Sequence, residues 1–257
     1  MIKPIRFPEL CIQFMDFFSE FGLTLLLQIF KFAGLPTVIA SYLVTMPATP
    51  FNEEIIITRA VIGFQGHVAL IIAIVIFTFM AIILACNTSA IYTLHCLEHG
   101  EQPSNTWMNH TLLKSFHKAS ALFLLMTFSA IAGLMLCILP GIYVLSAGSV
   151  MPAILHKEEV TVFRALQGGI QSMRGHILKP IAFALLVFFG ASIVITGLDM
   201  FLGMACSMLS IECNRIISMI GHCLQISALA IIPSFGAMLF WQVRLNQTTH
   251  ASNAPNN

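Results

Sequence analysis

The chain has 257 residues, of which 58% are hydrophobic and only 9% charged, with a mean hydropathy of +0.89 and a formal net charge of +1. A water-soluble domain carries roughly 25% charged residues, so this composition excludes a water-coated globular surface. It also lacks the basic stripe that would neutralise phosphates, which excludes a nucleic-acid partner.

The apolar residues come in runs long enough to cross a bilayer, such as Val68 to Cys86 and Ala119 to Leu139. In chain order, the N-terminal stretch is interrupted by Glu9, Asp16 and Glu20 and has no small-x-small cleavage site, so it is expected to persist on the cytoplasmic side. Within it Leu10, Phe14, Phe17 and Phe18 share a helical face opposite Gln13, Asp16 and Glu20. A first span follows over 22–44, carrying Lys31 and a break at Gly34-Leu35-Pro36, and a second over 67–94.

Ser104 caps a second amphipathic helix, in which Met108, Leu112 and Phe116 align against Asn105, Asn109 and Lys114. The third span is 117–139 and the fourth 141–156. A third amphipathic helix aligns Val162, Leu166, Ile170 and Met173 against Arg164, Gln167, Gln171 and Arg174, weakened by about 1 kcal/mol for each of Gly168 and Gly169. Spans five and six are 177–205 and 214–243, and the polar residues 245–257 read as a disordered tail.

One helix through 117–156 would be about 60 Å long at 1.5 Å per residue, twice the thickness of a bilayer core. Pro140 and Gly141 are therefore the expected structural turn, since proline donates no backbone bond and glycine accepts turn geometry. With the N-terminus inside, Lys3, Arg6, Lys114, Lys118, Lys157, Arg164, Arg174, Lys179 and Arg244 are cytoplasmic, and only Arg59 and Arg215 fall outside. The expected architecture is an all-α polytopic membrane protein with about six transmembrane helices and three interfacial amphipathic helices. It forms a single membrane domain over 1–244, with three units at about 8–94, 104–156 and 160–244. Both termini are expected in the cytoplasm.

The middle of the chain carries a distinctive order: Gly100-Glu101-Gln102-Pro103, Pro140-Gly141-Ile142-Tyr143, Pro152-Ala153-Ile154-Leu155, Glu158-Glu159, Ala165-Leu166, Ser172, Arg174-Gly175-His176 and Lys179. Over about 95–180 this resembles the membrane domain found ahead of some glycerophosphodiester phosphodiesterases, and its stand-alone relatives of the YciC type. The resemblance implies a multi-pass protein of the bacterial inner membrane. It implies no activity, because the phosphodiesterase chemistry of that family belongs to a separate soluble barrel.

Few residues suggest chemistry. Lys31, with Gln28 one turn away, is a candidate to hold an anionic substrate or lipid head group, or else it snorkels to the inner surface. Arg174 is a candidate for lipid phosphate. His222, Gln225 and Ser227 are candidates to line a cavity with Thr88 and Ser89. His95 and His99 form an i, i+4 pair that is a weak metal candidate, with His110 and His117 on the same side. Cys206 and Cys213, expected near the outer surface, are the one pair considered able to oxidise together. No nucleophile–base set, phosphate loop or paired-carboxylate motif is present. The expectation is a non-enzymatic envelope protein without cofactor that scaffolds or handles membrane lipids. The alternative is a small anion transporter built on Lys31 and the mid-span polar residues.

Overall fold

The computed structural model describes residues 6–45, 58–136, 138–157, 160–208 and 214–252, and every regular element among them is helical. The helices are α1 (Phe7–Thr45), α2 (Thr58–His99), α3 (Asn105–Leu136), α4 (Ile138–Gly148), α5 (Met151–Lys157), α6 (Val162–Ser172), α7 (Leu178–Met208) and α8 (Asn214–Ser252). Five of them contain segments long and apolar enough to cross a bilayer: Phe7–Leu43, Ala69–His99, Asn105–Gly133, Leu178–Met204 and Cys223–Leu245. The protein is an all-α polytopic membrane protein, built from the element that satisfies its own backbone in hydrocarbon.

The remaining traverse, expected over 141–156, is made of two pieces of 11 and 7 residues. The break has a local cause. Pro152 has no N–H to give to the Gly148 carbonyl, and its ring crowds that position. Ahead of it the helix tightens, with the N–H groups of Ser149 and Val150 donating to the carbonyls of Ser146 and Ala147, three residues back.

The chain doubles back between α3 and α4 as expected, but earlier than Pro140-Gly141. Both residues lie in the first turns of α4, where a missing N–H costs little. The two helices approach so closely that a Cβ on Gly133 would stand 2.8 Å from the Gly141 nitrogen.

Burial is concentrated at one end of the bundle. Residues 81–96 of α2, 147–155 of α4 and α5, and 233–240 of α8 are nearly all buried. Ile71, Ile72, Val75 and Ile76 of α2, and Leu185, Phe188, Phe189, Ile193 and Phe201 of α7, face outward as a lipid-facing surface requires. The buried end is tied by aromatic rings. Phe183 and Phe235 stack at 3.9 Å, and Phe14 meets them edge-on at 5.0 and 5.8 Å.

That cluster revises the role of the amphipathic stretches. Leu10, Phe14 and Phe17, Met108 and Leu112, and Met173 are indeed buried while Gln13, Asp16 and Glu20 are exposed, but the apolar faces cover protein rather than lipid. The first two stretches are the leading turns of α1 and α3, and only α6 is a free-standing helix. Its two glycines have a use. A Cβ on Gly169 would stand 2.7 Å from the Met151 Cγ and 3.3 Å from the Ala147 carbonyl oxygen, so glycine lets α6 lie directly on α4 and α5. Tyr143 Oη and Ser146 Oγ then donate to the Ile170 and Ile177 carbonyls at 2.8 and 3.0 Å, pinning the α6–α7 corner.

Two further expectations change. Gly34-Leu35-Pro36 does not break α1, which runs continuously through Pro36, with Thr37 Oγ1 bonded to the Ala33 carbonyl at 2.6 Å beside the carbonyl that proline leaves unpaired. α8 continues to Ser252, so the stretch from 245 is helical to that point, extending a long helix being far easier than starting one. Residues 253–257 lie outside the described residues.

Candidate functional site

A polar concavity lies beside the α2–α3 turn. α2 stops at Gly100, whose φ of 69° is the left-handed value that glycine adopts without penalty, with its N–H on the Cys96 carbonyl at 2.8 Å. Ser104 restarts the chain as expected, its Oγ accepting the Trp107 N–H at 3.3 Å. The two helices then run side by side, and Asn87 Nδ2 donates to Ser115 Oγ across them at 3.1 Å.

Between α2, α3 and the end of α5 opens a cleft of about 500 Å³. The α3 wall is a stripe at helical spacing: Trp107, His110, Thr111, Lys114, Ser115 and Lys118. The α2 wall presents Leu94, His95, Glu98 and His99, and α5 closes the end with Leu155, His156 and Lys157. Among the described lining residues, three lysines against one glutamate leave a formal excess of +2 with the histidines neutral. Lys157 is paired with Glu98 and also lies 5.7 Å over the Trp241 ring. The His95 ring sits between His99 and Trp107, with centroids at 4.5 and 4.4 Å.

This site contains some sequence candidates and not others. His95, His99 and His110 line the cleft, whereas His117 is not among its lining residues. No group of three or more His, Cys, Asp or Glu able to hold a metal ion occurs among the described residues. The histidines share the cleft with Lys114, Lys118, Lys157 and Glu98.

Lys31 and Gln28 reach across to α3. The Lys31 ammonium donates to Asn105 Oδ1 at 3.2 Å, and Gln28 Nε2 donates to the same oxygen at 3.0 Å, so the pair reaches the first residue of α3. The ammonium also lies 5.0 Å from the Phe32 ring centroid. Arg174 is exposed in the corner after α6, beside Gly175 with φ of 82°. In the same corner Lys179 Nζ lies 3.0 Å from His176 Nδ1, and burial, then the Lys179 charge, lowers the His176 pKa.

Among the described residues of the expected group of His222, Gln225 and Ser227 with Thr88 and Ser89, Ser227 lines a small cavity with Thr37 of α1. Ser89 instead bonds Ser234, further along α8, while Ser227 Oγ turns back to the Cys223 carbonyl at 2.9 Å and Gln225 is exposed. The register is set by Gly236, whose backbone touches Ser149 and brings Ser234 to α2. The side chains of His222 and Cys206, and all of Cys213, lie outside the described residues.

Sequence reasoning missed Trp107, Lys114, Lys118, His156 and Lys157 as members of one site. A signal was present: His110, Lys114 and Lys118 recur every four residues along one line of a helix whose opposite face is apolar. Comparison of the chain with protein-family models, curated proteins and solved structures finds no match.

Proposed function

We propose that this protein is a non-enzymatic lipid-handling protein of the bacterial inner membrane, which holds the head group of an anionic amphiphile in the cleft between α2, α3 and α5. The observation that carries this reading is the cleft's excess of cationic side chains at the buried end of a bundle whose other surface is lipid-facing. Cations beside an apolar medium attract anions far more strongly than the same charges in bulk water. The positive-inside distribution supports a cytoplasmic location for this end and for both termini. The motif order over 95–180 supports the same multi-pass setting. Native mass spectra of gently extracted protein test it. Wild type is expected to retain anionic lipid, Lys114→Gln/Lys118→Gln to lose it, and Arg174→Gln to keep it. Equal retention by all three removes the cleft from the reading.

A second reading, transport, rests on a different observation: the helix broken at Ser149–Val150, close to buried Thr88, Ser89 and Ser234. It predicts solute flux in proteoliposomes that is lost on Ser149→Leu while Lys114→Gln/Lys118→Gln leaves it intact.

A further inference from the structure

A second cavity, of about 380 Å³, lies where α1, the end of α2 and α8 meet. It stands apart from the cleft already described and shares only α2 with it. Cys96 and Leu97 line this cavity, whereas His95, Glu98 and His99 on the same turns line the cleft. We infer that the second cavity is a site for an organic ammonium cation.

Its lining carries the chemistry. Glu20 is the one ionised side chain among the described lining residues, with no lysine, arginine or histidine beside it. Its carboxylate is exposed, and close enough to the Cys96 thiol of the α2 wall for the two to interact. Phe17 and Phe21 of α1, with ring centroids 5.4 Å apart, and Trp241 of α8 bring three aromatic rings to the same space. Gln242 Nε2 donates to Gln13 Oε1, tying α8 to α1, and the Gln242 Oε1 can still accept from a ligand.

These groups select among ligands. An anion meets no cationic lining residue, and a neutral molecule leaves the carboxylate unused. A divalent metal needs several oxygen ligands, and one carboxylate among aromatic rings does not supply them. An ammonium carried on carbon gains from the carboxylate and from the ring faces together, while its carbon groups pack on the apolar lining. Trp241 already takes one cation, the Lys157 ammonium 5.7 Å over its ring, and the Arg244 guanidinium lies 5.4 Å over the neighbouring Phe240 ring. Neither cation lines the cavity, and the charge of Lys157 is offset by Glu98.

Such a cation can arrive free or as the head group of an amphiphile, and the test separates the two. The intact protein in maltoside detergent is titrated calorimetrically with choline and with 3,3-dimethylbutanol, its uncharged carbon isostere. Octyltrimethylammonium, which adds an apolar chain to the same cation, is the third probe. Fluorescence quenching of Trp241, the one tryptophan left in a Trp107→Phe protein, locates the site. We expect saturable choline binding that quenches Trp241, with the isostere weaker by at least about tenfold, the scale of a ring contact joined to a carboxylate. Glu20→Gln should weaken choline by about tenfold, while Glu9→Gln, in the exposed pair with Arg6, leaves it unchanged. Tighter binding of octyltrimethylammonium than of choline assigns the site to an amphiphile's head group, and equal or weaker binding assigns it to a free cation. Absence of saturable binding by either cation overturns the inference, as does binding that leaves Trp241 unquenched. An isostere that binds as well as choline overturns it too, because the charge is then not read. So does undiminished choline binding in a Glu20→Gln protein of unchanged thermal stability. Anionic-lipid retention, which tests the cleft, is a separate readout and is untouched by any of these outcomes.

Discussion

Replacing Gly236 by alanine adds one methyl group at the point where α8 crosses the break between α4 and α5. That methyl would overlap the Ser149 carbonyl and stand 3.0 Å from the Ser149 Cβ. Ser149 cannot retreat as a flexible side chain would, because the obstruction is backbone and Met151 to Leu155 behind it are all buried. α8 must move outward, loosening the Ser89–Ser234 bond and the Phe183–Phe235 stack with it. Overpacking of this kind costs about 1–3 kcal/mol, against which alanine returns about 1 kcal/mol of helix propensity. The net loss of up to about 2 kcal/mol corresponds to a fall in Tm of up to about 8 °C for a chain of this size. Thermal unfolding in mild detergent reads this directly, with Gly190→Ala as the control, since a Cβ there meets nothing within 4 Å. A Gly236→Ala protein as stable as Gly190→Ala would refute the close approach of α8 to the broken helix.

Other consequences are accessible to similar measurements. Ser89→Ala strands the buried Ser234 hydroxyl and should cost about 1–3 kcal/mol, while Ser89→Ala/Ser234→Ala should cost less than the two single changes together; additive losses would deny the bond. A double-mutant cycle on Lys157 and Glu98, read by thermal unfolding, should give a coupling of about 1 kcal/mol that weakens in high salt. His176 should titrate below the ordinary histidine value, with Lys179→Met moving it upward. Because the folded pKa is lowered, the contribution is intact above the ordinary histidine pKa and is lost as pH falls below it. A His176 that titrates at or above that value by NMR would contradict the corner geometry.

The spans were legible because long apolar runs have few alternatives in a chain this poor in charge. Ser104 was legible as a cap, and Leu10, Phe14 and Phe17 as one face, because both signals are local. What covers that face was not legible: Phe14 meets Phe183 and Phe235, and nothing in residues 8–22 distinguishes a protein neighbour from lipid. Pro36 and Pro152 show the same limit. One is absorbed into a continuous helix while the other breaks one, and the difference lies in what surrounds each. The cleft escaped for a related reason. Lys114 and Lys118 read as a solvated face and a marker of orientation, whereas α2 and α5 bring His95, His99 and Lys157 into the same cleft.

The most direct measurement places a photo-crosslinking amino acid at position 107 in the intact membrane and weighs the adduct. The account predicts an anionic lipid or phosphate-bearing adduct at 107, absent when the same probe replaces Leu178 on the exposed start of α7. Bulk neutral lipid captured equally at both positions would contradict it.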